Sequence, residues 1–478
     1  MVLKRVISLS TRPEKNSMAK DDLLHLNSKL VRTLNRRDLT LLVVGSMIGS
    51  GIFFAPAIID RQLQGASGLV LLAWIAGGAL SFCGALTLAE LTTMKPEAGG
   101  LYIFIRDCFG PLPAFLYGWT LFFIIYSGTA ATLAAAFTDN LRRLLPMSPA
   151  EAKGVGIGFL AVLTAINVWG TRQASDVQNV VSLTKLGSLF TIGVILLTKT
   201  HHTSDLRVLS ANTMNWSTSS AFGLALVSIL WAYEGWQYAS YSAGEARDPG
   251  RDFPHAFLVG TITVTVIYLF MNIAYIWALG ADGVAQSSNV AADAVSLAVG
   301  RRSAALVVIA IAISVFGGAN GLMLSNPRVF YAMARDELFF ARLATVHPRF
   351  HTPVFAIVAG CAWAVLLLLT GTFENLLVYV IFAGWLFYAL AAACIFVYRR
   401  RQPELPRPYH VPGYPWTPAV FVLTSAALAI NTVVRKPGSS LAGLGVIALG
   451  IPAYAMWVRS SRLRNARLRL SSSQSTDR

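Results

Sequence analysis

The residues that invite a chemical reading stand where a hydrophobic chain should be featureless. Residues 40–59, TLLVVGSMIGSGIFFAPAII, are apolar and long enough to cross a bilayer, yet Gly45, Gly49 and Gly51 with Ser46 and Ser50 crowd the middle. A membrane helix must satisfy its backbone polar groups internally, and non-helical backbone at that depth is tolerated only where it lines a cavity. Two readings follow. Small residues can pack helices, and Gly45-x-x-x-Gly49 has that spacing. Alternatively the helix breaks at Gly49-Ser50-Gly51, and its freed amides face an anion near the midplane.

Two ionisable residues join it. Glu234, within SILWAYEGWQYASYSAGE, lies in another apolar stretch, where an acid costs about 2.5–3.5 kcal/mol on insertion scales and is a functional candidate by default. A protonated or locally paired glutamate with a structural task is the alternative. Lys185 interrupts VVSLTKLGSLFTIGVILL. Its stem either snorkels to the nearer helix end or lodges its ammonium between helices on unwound carbonyls. Asn272 and Asn320 read as interhelical hydrogen-bonding residues.

Composition sets the elements that must carry these groups. The chain has 478 residues, 55% of them hydrophobic and 13% charged. Apolar runs divided by polar and Gly/Pro breaks predict twelve spans, near 39–60, 68–92, 112–138, 154–170, 177–198, 220–243, 255–280, 303–334, 353–370, 375–398, 417–434 and 440–458. The expected fold is therefore an all-α polytopic membrane protein. Most of the 39 Lys and Arg residues fall in the N-terminal segment, the even-numbered loops and the C-terminal tail. By the positive-inside rule both termini are then cytoplasmic, and the net charge of +16 reflects topology rather than nucleic-acid binding. Residues 1–38 lack the apolar core of a secretory signal. The tails, 1–38 and 459–478, read as polar and disordered, the second able to rest on anionic lipid.

Matching interruptions in the first and sixth spans, five apart, point to an inverted-repeat transporter with its substrate at the repeat interface. Catalysis has little support: no GxSxG, HExxH, P-loop or CxxC pattern occurs, and no cofactor is expected. His201-His202 lacks a third metal ligand, and Cys83, Cys108, Cys361 and Cys394 suggest no disulfide.

A set of ordered motifs also resembles a known family. Gly45-Ser-Met-Ile-Gly-Ser-Gly-Ile-Phe53 is similar to the first-helix signature of the amino acid–polyamine–organocation superfamily. Ala89-Glu-Leu, Gly99-Gly100-Leu-Tyr102, Gly118-Trp119, Trp231-Ala-Tyr-Glu-Gly-Trp236, Gly244-Glu245, Asn320-Gly321, Arg328, Ala334-Arg335-Asp336, Trp385-Leu-Phe-Tyr388 and Arg407-Pro408 follow in order, and resemble the L-type amino acid transporters and their bacterial relatives. The resemblance implies a leucine-transporter-type fold, with five-helix repeats at 39–199 and 220–398, helices 11 and 12 at 417–458, and alternating access. It further implies that Gly49, Ser50 and Gly51 meet the substrate carboxylate. Carbonyls around Met47, Ile48, Trp231, Ala232 and Glu234 would meet the ammonium, with Trp231 as gate. Lys185 would replace a sodium ion.

The implied activity is sodium-independent exchange of neutral L-amino acids in the cell membrane. Proton-coupled or cationic import is the alternative, motivated by Lys185 and Glu234, and a nontransporting nutrient sensor is carried from another class. Residues 140–153 hold no cysteine for a disulfide-linked heavy chain, so a stand-alone carrier is expected.

Overall fold

The computed structural model describes residues 30–200, 216–300, 303–370, 373–435 and 437–476. His201-His202 and residues 1–29 lie outside the described residues. Helices dominate. Helix α1 (Arg36–Met47) and α2 (Gly51–Gln62) are followed by α3 (Ser67–Met94), α4 (Leu101–Phe109), and a long rod of α5 (Pro111–Thr120), a π-helical segment (Leu121–Tyr126) and α6 (Ser127–Leu141). Then come α7 (Pro149–Trp169), α8 (Thr171–Lys199), α9 (Trp216–Ala232), the short α10 (Tyr238–Tyr241), α11 (Pro249–Gln286) and α12 (Val290–Val299). The chain continues through α13 (Ala304–Ser325), α14 (Pro327–Arg335), α15 (Val354–Thr370), α16 (Phe373–Arg401), α17 (Trp416–Arg435) and α18 (Pro437–Thr476).

Helix covers each of the twelve predicted stretches. Among the described residues, eight helices are long and apolar enough to cross a membrane, and nine if the bent pair α1–α2 counts as one. Leucines and valines such as Leu183, Val266, Leu306 and Leu423 stay exposed on the outside of the bundle, as a lipid-facing surface allows, while aliphatic, small and aromatic residues pack its inside.

Local chemistry sets the helix starts. Asn35 and Asp38 cap α1 reciprocally, and Ser148 and Glu151 do the same for α7. Prolines stand in the first turns of α5, α7, α11 and α14, where the missing amide costs nothing. The C-terminal tail departs from expectation, because α18 runs on to Thr476. Its basic run RSSRLRNARLRL is rich in Arg, Leu and Ala and has no Gly or Pro to stop a helix.

At the centre, α1 and α2 pack against α11, and α8 and α13 also close on α1. The two interrupted helices touch at their breaks. A Cβ on Gly51 would lie 2.7 Å from the Ala232 Cβ, and one on Gly235 would lie 2.6 Å from the Ser46 carbonyl oxygen.

Candidate functional site

The first break is an interruption of three residues, Ile48 to Ser50. Helices α1 and α2 meet at 43°. Ile48 is extended, at φ −78° and ψ 91°, and the Gly49 amide turns back to the Met47 carbonyl at 3.0 Å, an inverse γ-turn. Gly49 thus leaves the Gly45 carbonyl, which a continuous helix would have used, without its partner. Helix α2 starts at Gly51 and Ser50 makes no side-chain cap; the Phe53 amide turns back to the Ser50 carbonyl at 3.1 Å, and among the described residues the amides of Ser50, Gly51 and Ile52 have no backbone acceptor.

Lys185 supplies what the break removes. Its ammonium donates to the Gly45 carbonyl at 2.7 Å and the Ile48 carbonyl at 2.6 Å, with the residue 1% exposed. The stem therefore does not run to a helix end. Ser314 adds a donor to the Gly49 carbonyl at 2.9 Å. Gly317 leaves room for the lysine, since a Cβ there would meet its Cε at 2.6 Å.

The second break follows Ala232. Gly235 takes φ 121°, a conformation that favours glycine, and the helix resumes only for the four residues of α10. Tyr268 on α11 ties the two breaks together: its hydroxyl lies 2.9 Å from both the Met47 and the Ala232 carbonyls. One hydroxyl has one proton, so it serves one carbonyl at a time and leaves the other open to a further donor. Glu234 accepts from the Tyr388 hydroxyl at 2.7 Å, and that hydroxyl accepts from Gln237 at 2.7 Å.

Between the breaks lies a cavity of about 50 Å³, lined by Met47, Gly49, Ser50, Gly51, Trp231, Ala232 and Glu234 among others. Seven of the eight residues expected at the substrate site thus face one space. Ile48 does not line it; its side chain is buried and its carbonyl points to Lys185. Sequence reasoning missed Thr129, Leu133, Tyr238, Gly318 and Leu322, which with Ser46 complete the lining, and Tyr268 and Ser314 behind it. The Gly317-Gly318 doublet in an apolar span was the available signal. Asn320 bonds across helices to the Ala174 carbonyl, to Gln178 and to Asn167, whereas Asn272 donates within its own helix to the Tyr268 carbonyl.

One end of the bundle is closed by polar contacts. Arg328 pairs with Glu245 at 2.6 and 3.0 Å and with the Thr171 hydroxyl at 2.9 Å, both charged side chains being fully buried. The amides of Thr33 and Leu34 donate to the Glu245 carbonyl, fastening the segment before α1 to the segment after α10. Beside them a cavity of about 550 Å³ holds Arg32, Arg106, Arg335, Glu97 and Asp336. There Tyr102 donates to Asp336 at 2.8 Å, and burial together with that carboxylate pushes its phenol up, so it remains a donor. Among the described residues, no group of three His, Cys, Asp or Glu is placed to hold a metal ion.

The family model for amino acid permeases matches residues 34–454. The chain belongs to the amino acid permease family. This permease is 33% identical to the serine/threonine exchanger SteT of Bacillus subtilis over 417 residues, covering 86% of the chain and 94% of that protein. It is 31% identical to the human large neutral amino acids transporter small subunit 2 over 431 residues, 87% of the chain and 78% of the relative. The human cystine/glutamate transporter is 30% identical over 439 residues, 88% of the chain and 85% of the relative. The permease is thus a multi-pass membrane protein of the amino acid–polyamine–organocation superfamily, similar to the L-type transporters. Its family moves amino acids across membranes and is not a family of enzymes.

Proposed function

We propose that this permease is a sodium-independent exchanger of neutral L-amino acids in the cell membrane, working by alternating access, with both termini cytoplasmic and no heavy chain. In this reading residues 39–199 and 220–398 are inverted five-helix repeats, and 417–458 adds two helices. The substrate carboxylate meets the amides at Ser50 and Gly51. Its ammonium takes whichever of the Met47 and Ala232 carbonyls Tyr268 leaves free, and Trp231 closes over it.

The observation that carries the reading is the Lys185 ammonium on the Gly45 and Ile48 carbonyls. A fixed charge there removes the need for a dissolved cation to hold the unwound chain together. The names of two relatives, an exchanger of serine and threonine and a carrier of large neutral amino acids, agree with a neutral substrate. A cavity of about 50 Å³ has room for a few water molecules, which favours the smaller of these unless Trp231 moves.

Counterflow in proteoliposomes tests this. Radiolabelled serine, alanine or leucine should accumulate only when an amino acid is present inside, at the same rate when sodium is replaced by choline. No uptake against any internal amino acid, or uptake abolished by removing sodium, contradicts it. Glu234 favours a second reading, cationic or proton-coupled import, because its carboxylate lines the cavity. Uptake of lysine that outcompetes serine, or uptake driven by a pH gradient without internal substrate, would select it.

A further inference from the structure

Asp60 lies in the last turn of α2, at the end of the bundle away from the Glu245–Arg328 pair. Its side chain is fully buried, and among the described residues neither carboxylate oxygen has a hydrogen-bond partner. Three other acids in the bundle are each bonded: Glu234 by Tyr388, Glu245 by Arg328 and Asp336 by Tyr102. The position of Asp60 is unfavourable in two further ways. The carboxylate sits at the C-terminal end of α2, where the helix dipole repels an anion, and the Asp282 carboxylate acts on it from α11.

Among the described residues, the charged groups on the elements packed around it give no relief. Arg61, its neighbour, donates to the Ala285 carbonyl on the far end of α11. Asp293 on α12 is held by the Ser287 hydroxyl. Helix α9 carries no ionisable residue, and the acid of α3, Glu90, is bound by Arg399 and Arg407. A carboxylate buried without a donor or a cation is strongly disfavoured in its charged form, and proteins keep such a group neutral instead.

We propose that Asp60 is a proton-binding site that couples the position of α2 to pH: it holds one proton while α2 is packed as here, and releases it to water when this end opens. The proton moves from the carboxyl oxygen to solvent or buffer, and returns on closure; no bond between heavy atoms changes. Closure takes up a proton, so acid favours the closed end and rising pH favours the open one. Substrate entering from this side then meets a gate whose equilibrium follows the pH of that compartment. The cavity residues need not titrate for this to occur.

Thiol accessibility in reconstituted protein tests it without any transported substrate, so the result stands separately from the exchange assay. Leu63 is buried one residue beyond α2 and Gln64 beside it is exposed. In a Cys83→Ser background, labelling of Leu63→Cys by a membrane-impermeant thiosulfonate is measured from pH 5.5 to 8 and divided by that of Gln64→Cys, which removes the effect of thiol ionisation. The ratio should rise with pH by up to about tenfold per unit, the limit for one linked proton. Adding Asp60→Asn, which mimics the protonated acid in shape, should flatten it. Adding Asp282→Asn removes the neighbouring charge and should move the rise to lower pH. A flat ratio with Asp60 present, or the same slope in Asp60→Asn, overturns the proposal. Should Asp60→Asn fail to fold, an unmoved rise in Asp282→Asn overturns it equally.

Discussion

Replacing Lys185 by methionine keeps most of the stem and removes the ammonium. The two hydrogen bonds this deletes, at 2.7 and 2.6 Å, come from a charged donor and are each worth about 1.5–3 kcal/mol. Part of that returns, because the ammonium no longer has to be buried, and water can reach the Ile48 carbonyl when the break opens. The Gly45 carbonyl stays enclosed, since Ser182 and Gln178 sit against that turn. Taking the low end of the two bonds, about 3 kcal/mol, the unwound arrangement loses about 100-fold in its equilibrium against alternatives, at 1.4 kcal/mol per tenfold. Initial rates of counterflow at matched reconstitution should therefore fall by at least about tenfold, while the thermal midpoint stays within about 5 °C of the parent, because the rest of the bundle is untouched. An exchange rate within twofold of the parent would refute the reasoning, and would mean that the lysine fills space without holding the break.

Other substitutions separate the parts of the site. Gly51→Ala puts a carbon 2.7–2.8 Å from the Ala232 Cβ and Cα, so the two breaks must part; amino acid binding by thermal shift should be lost while the stability of the apo protein drops by about 1–3 kcal/mol, the range of a local overpacking. Tyr268→Phe removes one hydroxyl shared by two carbonyls and should weaken substrate affinity about fivefold, the equivalent of one hydrogen bond of about 1 kcal/mol, read by isothermal titration. Arg328→Met leaves the Glu245 charge buried without its partner and should destabilise by about 3–5 kcal/mol. In thermal unfolding the double variant Arg328→Met with Glu245→Leu should recover much of that loss, and a single variant as stable as the parent would contradict the pairing.

The sequence carried the two breaks because their residues are wrong for lipid. Glycine and serine at 45–51, and Glu234 among aromatics, weaken or load a helix where hydrocarbon offers nothing in return. Lys185 was legible as an outlier, but which of its two fates applied depended on how α8 leans on α1, which only the packed helices decide. Tyr268 was invisible for the opposite reason: a tyrosine in an apolar span is common, and its two carbonyl partners lie in helices far along the chain. The π-helical turn at Leu121–Tyr126 reads in sequence as ordinary apolar helix, and its geometry shows in the Ser127 hydroxyl bonding five residues back to Phe122. Asp60 sat at the edge of the first predicted span and carried no signal of its own, since nothing local announced that α11 would pack on α2.

The most direct measurement is a density map of the permease with a bound neutral amino acid. The account predicts the carboxylate within hydrogen-bond reach of the amides at Ser50 and Gly51, and the ammonium beside the Met47 and Ala232 carbonyls. A ligand seated in the arginine-lined cavity near Arg335 instead, with the space between the two breaks empty, would contradict it.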